Sequence, residues 1–228
     1  MILLKAQLYS LSFKFYFLLL VTLIFVITLS LIINADTLNI FTAICGIIYA
    51  FFAGAKKLIC FIFGIMYSIC YIYIAYKTNL YGDVMLNLIY LPMNVLGIIH
   101  WKNHQNKNNI VNIRSLNFKN MIICLVVVLF LTILYGIFLE KINTMFAYFN
   151  SFAVIAQIVA FYLQVKRYIQ NYLLVTLANI TNVFIWFLIF EHSKENIAQL
   201  LNMIIFLIIG LYYYFTWKKS YNESLYNC

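Results

Sequence analysis

Eight apolar stretches divide this chain of 228 residues, and the basic residues between them alternate so strongly that the chain reads as a protein threaded repeatedly through a bilayer. The stretches cover residues 15–33, 38–55, 58–76, 84–101, 121–139, 145–163, 172–190 and 197–217. Each is close to the ~20 residues an α-helix needs to cross a hydrocarbon core roughly 30 Å thick. One set of alternate gaps and ends holds Lys5, Lys14, Lys56, Lys57, Lys102, Lys107, Arg114, Lys119, Lys166, Arg167, Lys218 and Lys219. The other set holds Lys77, Lys141 and Lys194. Lys and Arg collect on the cytoplasmic side, so the pattern predicts an even number of spans in the cell inner (plasma) membrane with both termini inside. Asp36, Asp83, Glu140, Glu191 and Glu195 fall in the opposite set, and Glu223 falls inside.

With 66% apolar and 9% charged residues, no soluble domain can be cut from the sequence. A net charge of +9 on a soluble chain would suggest a nucleic-acid partner. Here the cytoplasmic bias accounts for it, with juxtamembrane cations facing anionic lipid, and no nucleic acid is expected. Cys45, Cys60, Cys70, Cys124 and Cys228 show no metal-ligand spacing. His100 and His104 are four apart but have no third ligand nearby, and they read as interfacial anchors. Neither a metal nor a cofactor is expected. The first stretch follows Lys5 and Lys14 as a signal peptide would, but its apolar run is long and no A-x-A site follows, so it reads as a helix.

The chain also echoes itself. Ala55-Lys56-Lys57-Leu58 and Val165-Lys166-Arg167-Tyr168 each place a basic pair in a tight turn between spans, 110 positions apart. Gly97 and Gly210, each followed four residues on by an aromatic (Trp101, Tyr214), repeat at 113. The fifth stretch has no counterpart. The expected fold is therefore an all-α polytopic membrane protein: one N-terminal helix, then a parallel 3+1+3 repeat of the SWEET type. Its parts are 1–36 (first helix), 37–104 (first triplet), 105–142 (cytoplasmic loop and linker helix), 143–219 (second triplet) and 220–228 (tail). Parallel repeats place a substrate site between the halves, near the midplane.

Two polar stripes fit such a site. Span four carries Asn87, Tyr90, Asn94, Gly97 and Trp101 at steps of three and four, one helix face. Span seven carries Asn171, Val175, Asn179, Asn182 and Trp186 on another, bordered by Tyr172 and Thr176. Buried amides also serve helix packing, at ~0.6–2 kcal/mol each. Four on two opposed stripes point instead to a cavity for a small polar ligand. Gln157 and Gln164 form a further stripe on span six, with Gln164 near the cytoplasmic end. No Asp or Glu falls in the middle of a span, which points to facilitated diffusion, with net uptake supplied by a cytoplasmic kinase that phosphorylates the arriving solute. A membrane enzyme would need paired acids or a nucleophile–base constellation, and only isolated candidates occur. A sensor without cargo is the other reading.

The segment Cys60-Phe61-Ile62-Phe63-Gly64-Ile65, the loop Asn79-Leu80-Tyr81-Gly82-Asp83, and Leu86-Asn87-Leu88-Ile89-Tyr90 with Gly97 and Trp101 together resemble the PnuC vitamin transporters. That family shows a "CWPLGI"-type segment, a "GLYGD"-type loop and an "LQxxY…G…W" helix, with Gln usual where Asn87 stands. Gln170-Asn171-Tyr172-Leu173-Leu174-Val175 matches the family's "ENWxxW" in part, and the resemblance covers about residues 38–217. It implies uptake of a vitamin precursor, most often nicotinamide riboside. It also implies ring contacts at Tyr172 and Val175 and polar contacts at Asn87 and Asn179. Val175 cannot stack, so one aromatic wall is missing and thiamine becomes the second substrate reading. The expected binding set is Asn87, Tyr90, Asn94, Asn171, Tyr172, Val175, Asn179 and Asn182, in a homo-oligomer expected to be a trimer.

Overall fold

The computed structural model describes residues 11–105 and 111–226; Lys5, Lys107 and Cys228, used above, lie outside the described residues. Eight helices in it are long and apolar enough to cross a membrane. They are α1 (Phe13–Ile32), α2 (Thr37–Gly54), α3 (Cys60–Lys77), α4 (Tyr81–Lys102), α5 (Phe118–Lys141), α6 (Ala147–Val165), α7 (Asn171–His192) and α8 (Ile197–Tyr226), with a short 3₁₀ turn at Lys194–Asn196 before α8. No strand occurs among the described residues.

Helices form here because hydrocarbon offers no partner to a backbone N–H or C=O, and a helix satisfies nearly all of them within one segment. The ends need other partners. Ser12 caps α1 by accepting from the Phe15 N–H at 3.3 Å, and Asn117 caps α5 by accepting from Asn120 at 2.9 Å. The C-termini of α1, α2, α3, α5 and α6 close by Schellman turns, in which a residue of positive φ lets two N–H groups reach back. After α2, Lys56 (φ 60°) donates to Ala53 and Lys57 to Phe52; after α6, Arg167 (φ 69°) donates to Gln164 and Tyr168 to Leu163. These two backbones align Lys56 with Arg167, one position off the pairing read from the basic pairs. The reason is local: the turn follows the positive-φ residue, and the basic pair sits one step earlier after α6 than after α2.

Hydropathy and helix ends also differ. Asp83, read above as an outer loop residue, lies in the first turn of α4, buried, and its Oδ2 accepts from the Asn150 Nδ2 of α6 at 3.0 Å. A carboxylate there is favoured by the helix N-terminus, and hydrogen bonding continues past the point where hydropathy falls. Likewise α8 runs nine residues beyond 217, to Tyr226.

Six helices make the core. Within each triplet neighbours pack in sequence order, while the third helix of each triplet docks on the first helix of the other: α4 on α6, and α8 on α2. The two docking contacts are fastened alike. The Trp101 indole N–H of α4 donates to the Gln164 carbonyl of α6 at 3.1 Å, and the Trp217 N–H of α8 donates to the Gly54 carbonyl of α2 at 2.8 Å. Both carbonyls belong to helix ends, where partners are scarce. The indoles that make these two like bonds are Trp101 and Trp217; the sequence reading pairs Trp101 with Tyr214, three residues earlier on α8. α1 packs on α2 and α8, and α5 packs on α6; both stay at the periphery. The link after α4 is stitched to the second basic turn, with Arg114 N–H on the Arg167 carbonyl at 2.8 Å and Ile169 N–H on the Arg114 carbonyl at 3.0 Å.

Trp217→Phe keeps an aromatic ring but leaves the Gly54 carbonyl unpaired. A loss of about 1–2 kcal/mol is expected, read as a lower thermal midpoint of the detergent-solubilised protein, and an unchanged midpoint would show that this bond does not hold the triplets together.

Candidate functional site

At the centre of the bundle lies a cavity lined by all six core helices. From the first triplet come Tyr49, Ala50 and Ala53 of α2, Gly64, Tyr67 and Ser68 of α3, and Tyr90 and Asn94 of α4. From the second come Gln157, Phe161 and Gln164 of α6, Asn171, Tyr172, Val175 and Asn179 of α7, and Phe206, Ile209 and Gly210 of α8. α1 and α5 contribute nothing to it. Of the residues expected at a site, Tyr90, Asn94, Asn171, Tyr172, Val175 and Asn179 share this one lining. Asn87 and Asn182 are buried outside it, one turn further toward the Asp83 end of the bundle.

The polar lining is arranged so that several atoms have no protein partner. Asn94 Nδ2 donates to the Tyr90 carbonyl of its own helix at 2.8 Å, and Asn171 Nδ2 to the Tyr168 carbonyl at 2.6 Å. That fixes each amide with its Oδ1 unpaired as an acceptor. Tyr49 OH donates to Gln164 Oε1 at 3.1 Å and thereby leaves Gln164 Nε2 unpaired as a donor. Gln157 Nε2, Asn179 Nδ2, Ser68 Oγ and Tyr172 OH are also buried without partners. Buried polar groups are nearly always hydrogen-bonded, so such a concentration in one cavity marks a place for a polar ligand. Among the described lining residues none is charged.

Aromatic rings supply the flat walls. Tyr90 and Phe161 meet edge to face with centroids 4.6 Å apart, and Tyr67 and Phe206 lie 6.1 Å apart at 60°. Small residues make room: a Cβ on Gly64 would run into the Asn94 amide, and one on Gly210 would sit 3.1 Å from Thr176 Oγ1.

Two aromatic layers bound the cavity. At the basic end, Phe61 meets Trp101 at 4.9 Å, Trp101 meets Trp217 at 6.3 Å, and Tyr172 meets Trp217 at 5.1 Å. At the other end, Tyr67 stacks on Tyr71 at 5.0 Å, and the Trp186 indole N–H of α7 donates to the Tyr71 OH of α3 at 3.0 Å. Beyond this second layer opens a polar vestibule whose rim includes Asp36, Asn39, Lys77, His192, Glu195 and Asn196.

Tyr49, Gln157 and Gln164 are absent from the expected binding set. Tyr49 lies among Ile, Ala and Phe, and its only signal is the step pattern Thr42, Cys45, Tyr49, Ala53 along one face of α2. Gln164 reads from the sequence as a residue near a helix end, yet Tyr49 and Trp101 both hold it in the core. His100 and His104 stack with ring centroids 4.5 Å apart, and no cluster of three metal-binding side chains occurs among the described residues.

Asn179→Leu replaces an amide with an unpaired Nδ2 by an apolar group of similar size. In the absence of solute the thermal midpoint should stay level or rise, since removing an unsatisfied buried donor relieves about 1–3 kcal/mol of desolvation. A fall of several degrees would mean that Asn179 serves packing.

Comparisons with known proteins agree with this architecture. A family model described as nicotinamide mononucleotide transporter matches residues 36–219. The nicotinamide riboside transporter PnuC of Neisseria mucosa is 26% identical over 184 residues, covering 78% of this chain and 70% of that protein. The same-named transporter of Haemophilus influenzae is 26% identical over 186 residues, covering 80% and 79%. A crystal structure of the vitamin B3 transporter PnuC superposes with a TM-score of 0.85 at 23% identity, over 96% of this chain and 97% of that one, which shows the fold. Eight membrane-crossing helices and a family model matched over most of the sequence lead to one conclusion: the chain is a multi-pass membrane protein of the nicotinamide mononucleotide transporter family, the PnuC transporters.

Proposed function

We propose that this chain carries nicotinamide riboside across the cell inner membrane by facilitated diffusion, with both termini in the cytoplasm and a cytoplasmic kinase trapping the solute by phosphorylation. The observation that carries the reading is the central cavity: unpaired amide and hydroxyl groups beside aromatic walls, with no charged side chain in the lining. The acceptors Asn94 Oδ1 and Asn171 Oδ1 suit ribose hydroxyls, and the donors Gln157, Gln164 and Asn179 suit the hydroxyl oxygens or a carboxamide carbonyl. A flat pyridinium is attracted to Tyr and Phe faces without a carboxylate.

The same lining argues against the phosphorylated nucleotide. A phosphate taken into this cavity would have no Lys, Arg or His to meet it, and an unpaired buried anion is costly. The kinase product would thus be a poor ligand, which suits trapping. Val175 leaves an aliphatic wall where the family carries Trp, and Tyr90, Phe161 and Phe206 offer rings elsewhere. Thiamine, also a flat cation with a hydroxyl end, is the second reading that this substitution favours.

The offset of the two basic turns, the equivalent Trp101 and Trp217 bonds and the exchanged docking of α4 and α8 support a parallel 3+1+3 repeat. On that reading the layers at the two ends are gates, and the Trp186–Tyr71 bond holds the outer one. The absence of a carboxylate from the cavity lining supports uncoupled transport: Asp83 is engaged by Asn150, one helix turn beyond Asn87. Assembly as a homo-oligomer, with three copies expected, belongs to the same proposal.

Calorimetric titration of the purified protein with nicotinamide riboside, its 5′-phosphate and thiamine tests the substrate. Riboside binding at least tenfold tighter than the phosphate, and lost in Asn94→Ala, is the expected result. Equal binding of the phosphate would overturn the argument from charge, and binding of thiamine alone would assign that substrate instead. Tyr71→Phe tests the gate, since it keeps the ring and removes the hydroxyl. In a background without native cysteines, a cysteine placed at position 182 should react several-fold faster with a water-soluble maleimide when Tyr71→Phe is present. An unchanged rate would mean that closure does not depend on this bond.

A further inference from the structure

A second concave site lies on the membrane-facing side of the bundle, between α1, α2 and α8. α1 is loosely held, with only Leu19, Val26 and Ser30 buried along it among the described residues. The gap leaves a groove of about 620 Å³ whose floor is apolar, and whose mouth at the basic end is lined by Lys14 and Lys56. Along α8 the groove extends from Thr216 to Ile205. At 1.5 Å of rise per residue that is about 16 Å, against the ~15 Å of one leaflet of hydrocarbon. The groove therefore opens at one membrane surface and stops near the midplane.

Length and charge together select the occupant. A transmembrane helix seated against this face would run the whole thickness of the bilayer, twice the length of the groove. A lipid tail ends where the groove ends. Among the described residues the mouth carries the ammonium groups of Lys14 and Lys56, and no acidic side chain lines the groove. Lys56 is half-buried; burial lowers its pKa, and Glu223 offsets part of that. Its Nζ donates to Ser220 Oγ at 2.8 Å and lies 5.9 Å from the Trp217 ring, so the charge is held in place without an ion pair to a carboxylate among the described contacts. Basic pockets between membrane helices are suited to anionic head groups.

We propose that this groove binds one anionic glycerophospholipid of the basic-side leaflet, a tail lying along Ile208 and Tyr212 and the phosphate set against Lys14 and Lys56. The groove shares a wall with the central cavity, because Ile209 lines both. A bound tail then supports the outer face of a cavity-lining residue, and its loss loosens α8 at the solute site. The site stands whichever solute the cavity takes.

The test is native mass spectrometry of the full chain released from phosphatidylcholine vesicles doped with phosphatidylglycerol. Preferential retention of phosphatidylglycerol is expected. The double variant K14Q/K56Q should lower that preference roughly tenfold or more, given about 1 kcal/mol per cation near an anionic surface, and K14Q alone should give a smaller loss in case the double variant does not fold. Ile208 is 61% exposed, so I208W fills the groove without disturbing the core, and it should lower retention of both lipids with the charges intact. Retained lipid in bulk proportions, or a phosphatidylglycerol preference that survives K14Q/K56Q, would overturn the proposal. So would an oligomer of the wild type that I208W dissolves, which would give the groove to a second copy.

Discussion

In hydrocarbon a carbonyl or amide without a partner costs several kcal/mol, and the structure is organised around that cost. The helices satisfy their own backbones, and Thr42, Thr132, Thr176 and Thr216 return their hydroxyls to a carbonyl one turn back. Helix ends are the weak points, and they are met by Schellman turns and by indole N–H groups from the opposite triplet. Against this background the unpaired side-chain atoms of Asn94, Gln157, Gln164, Asn171, Tyr172 and Asn179 stand out, because they gather in one cavity.

The cavity's chemistry follows from how its amides are held. An asparagine anchored by its own nitrogen keeps its oxygen free to accept, and a glutamine whose oxygen holds Tyr49 keeps its nitrogen free to donate. Anchoring therefore sets the polarity of each position before any solute arrives, which lowers the ordering cost of binding. On the proposed reading selectivity would rest on that pattern and on the absence of charge among the described lining residues, with most of the unpaired groups coming from α6 and α7.

Much of the fold is legible in the sequence because hydropathy and the Lys/Arg bias report directly on the bilayer. The stripes of span four and span seven point at the cavity because steps of three and four keep Tyr90 with Asn94, and Val175 with Asn179, on one helix face. Periodicity does not say where along a face the cavity ends, so Asn87 and Asn182 continue the stripes past the lining. It is also silent about residues lacking a polar neighbour at helical spacing, which hid Tyr49. The buried Asp83–Asn150 pair was hidden for another reason: hydropathy assigns a carboxylate to the aqueous side, and only the packing of α4 on α6 brings the two side chains together. The register of the echoed halves depends on backbone φ at Lys56 and Arg167, which residue identity does not reveal.

The turns after α2 and α6 have a mechanical consequence. Each joins two membrane-length helices through a handful of residues locked by two hydrogen bonds, so it transmits motion with little slack. A helix of 18 residues is about 27 Å long, and pivoting it by about 10° at such a joint swings the far end by about 5 Å. The joints lie at the basic end, close to the Trp101 and Trp217 contacts, so any rotation about them would move the vestibule end of a helix far more than the basic end. In a carrier that works by such rotation, one stiff joint per helix pair would be enough to serve the far side of the bilayer.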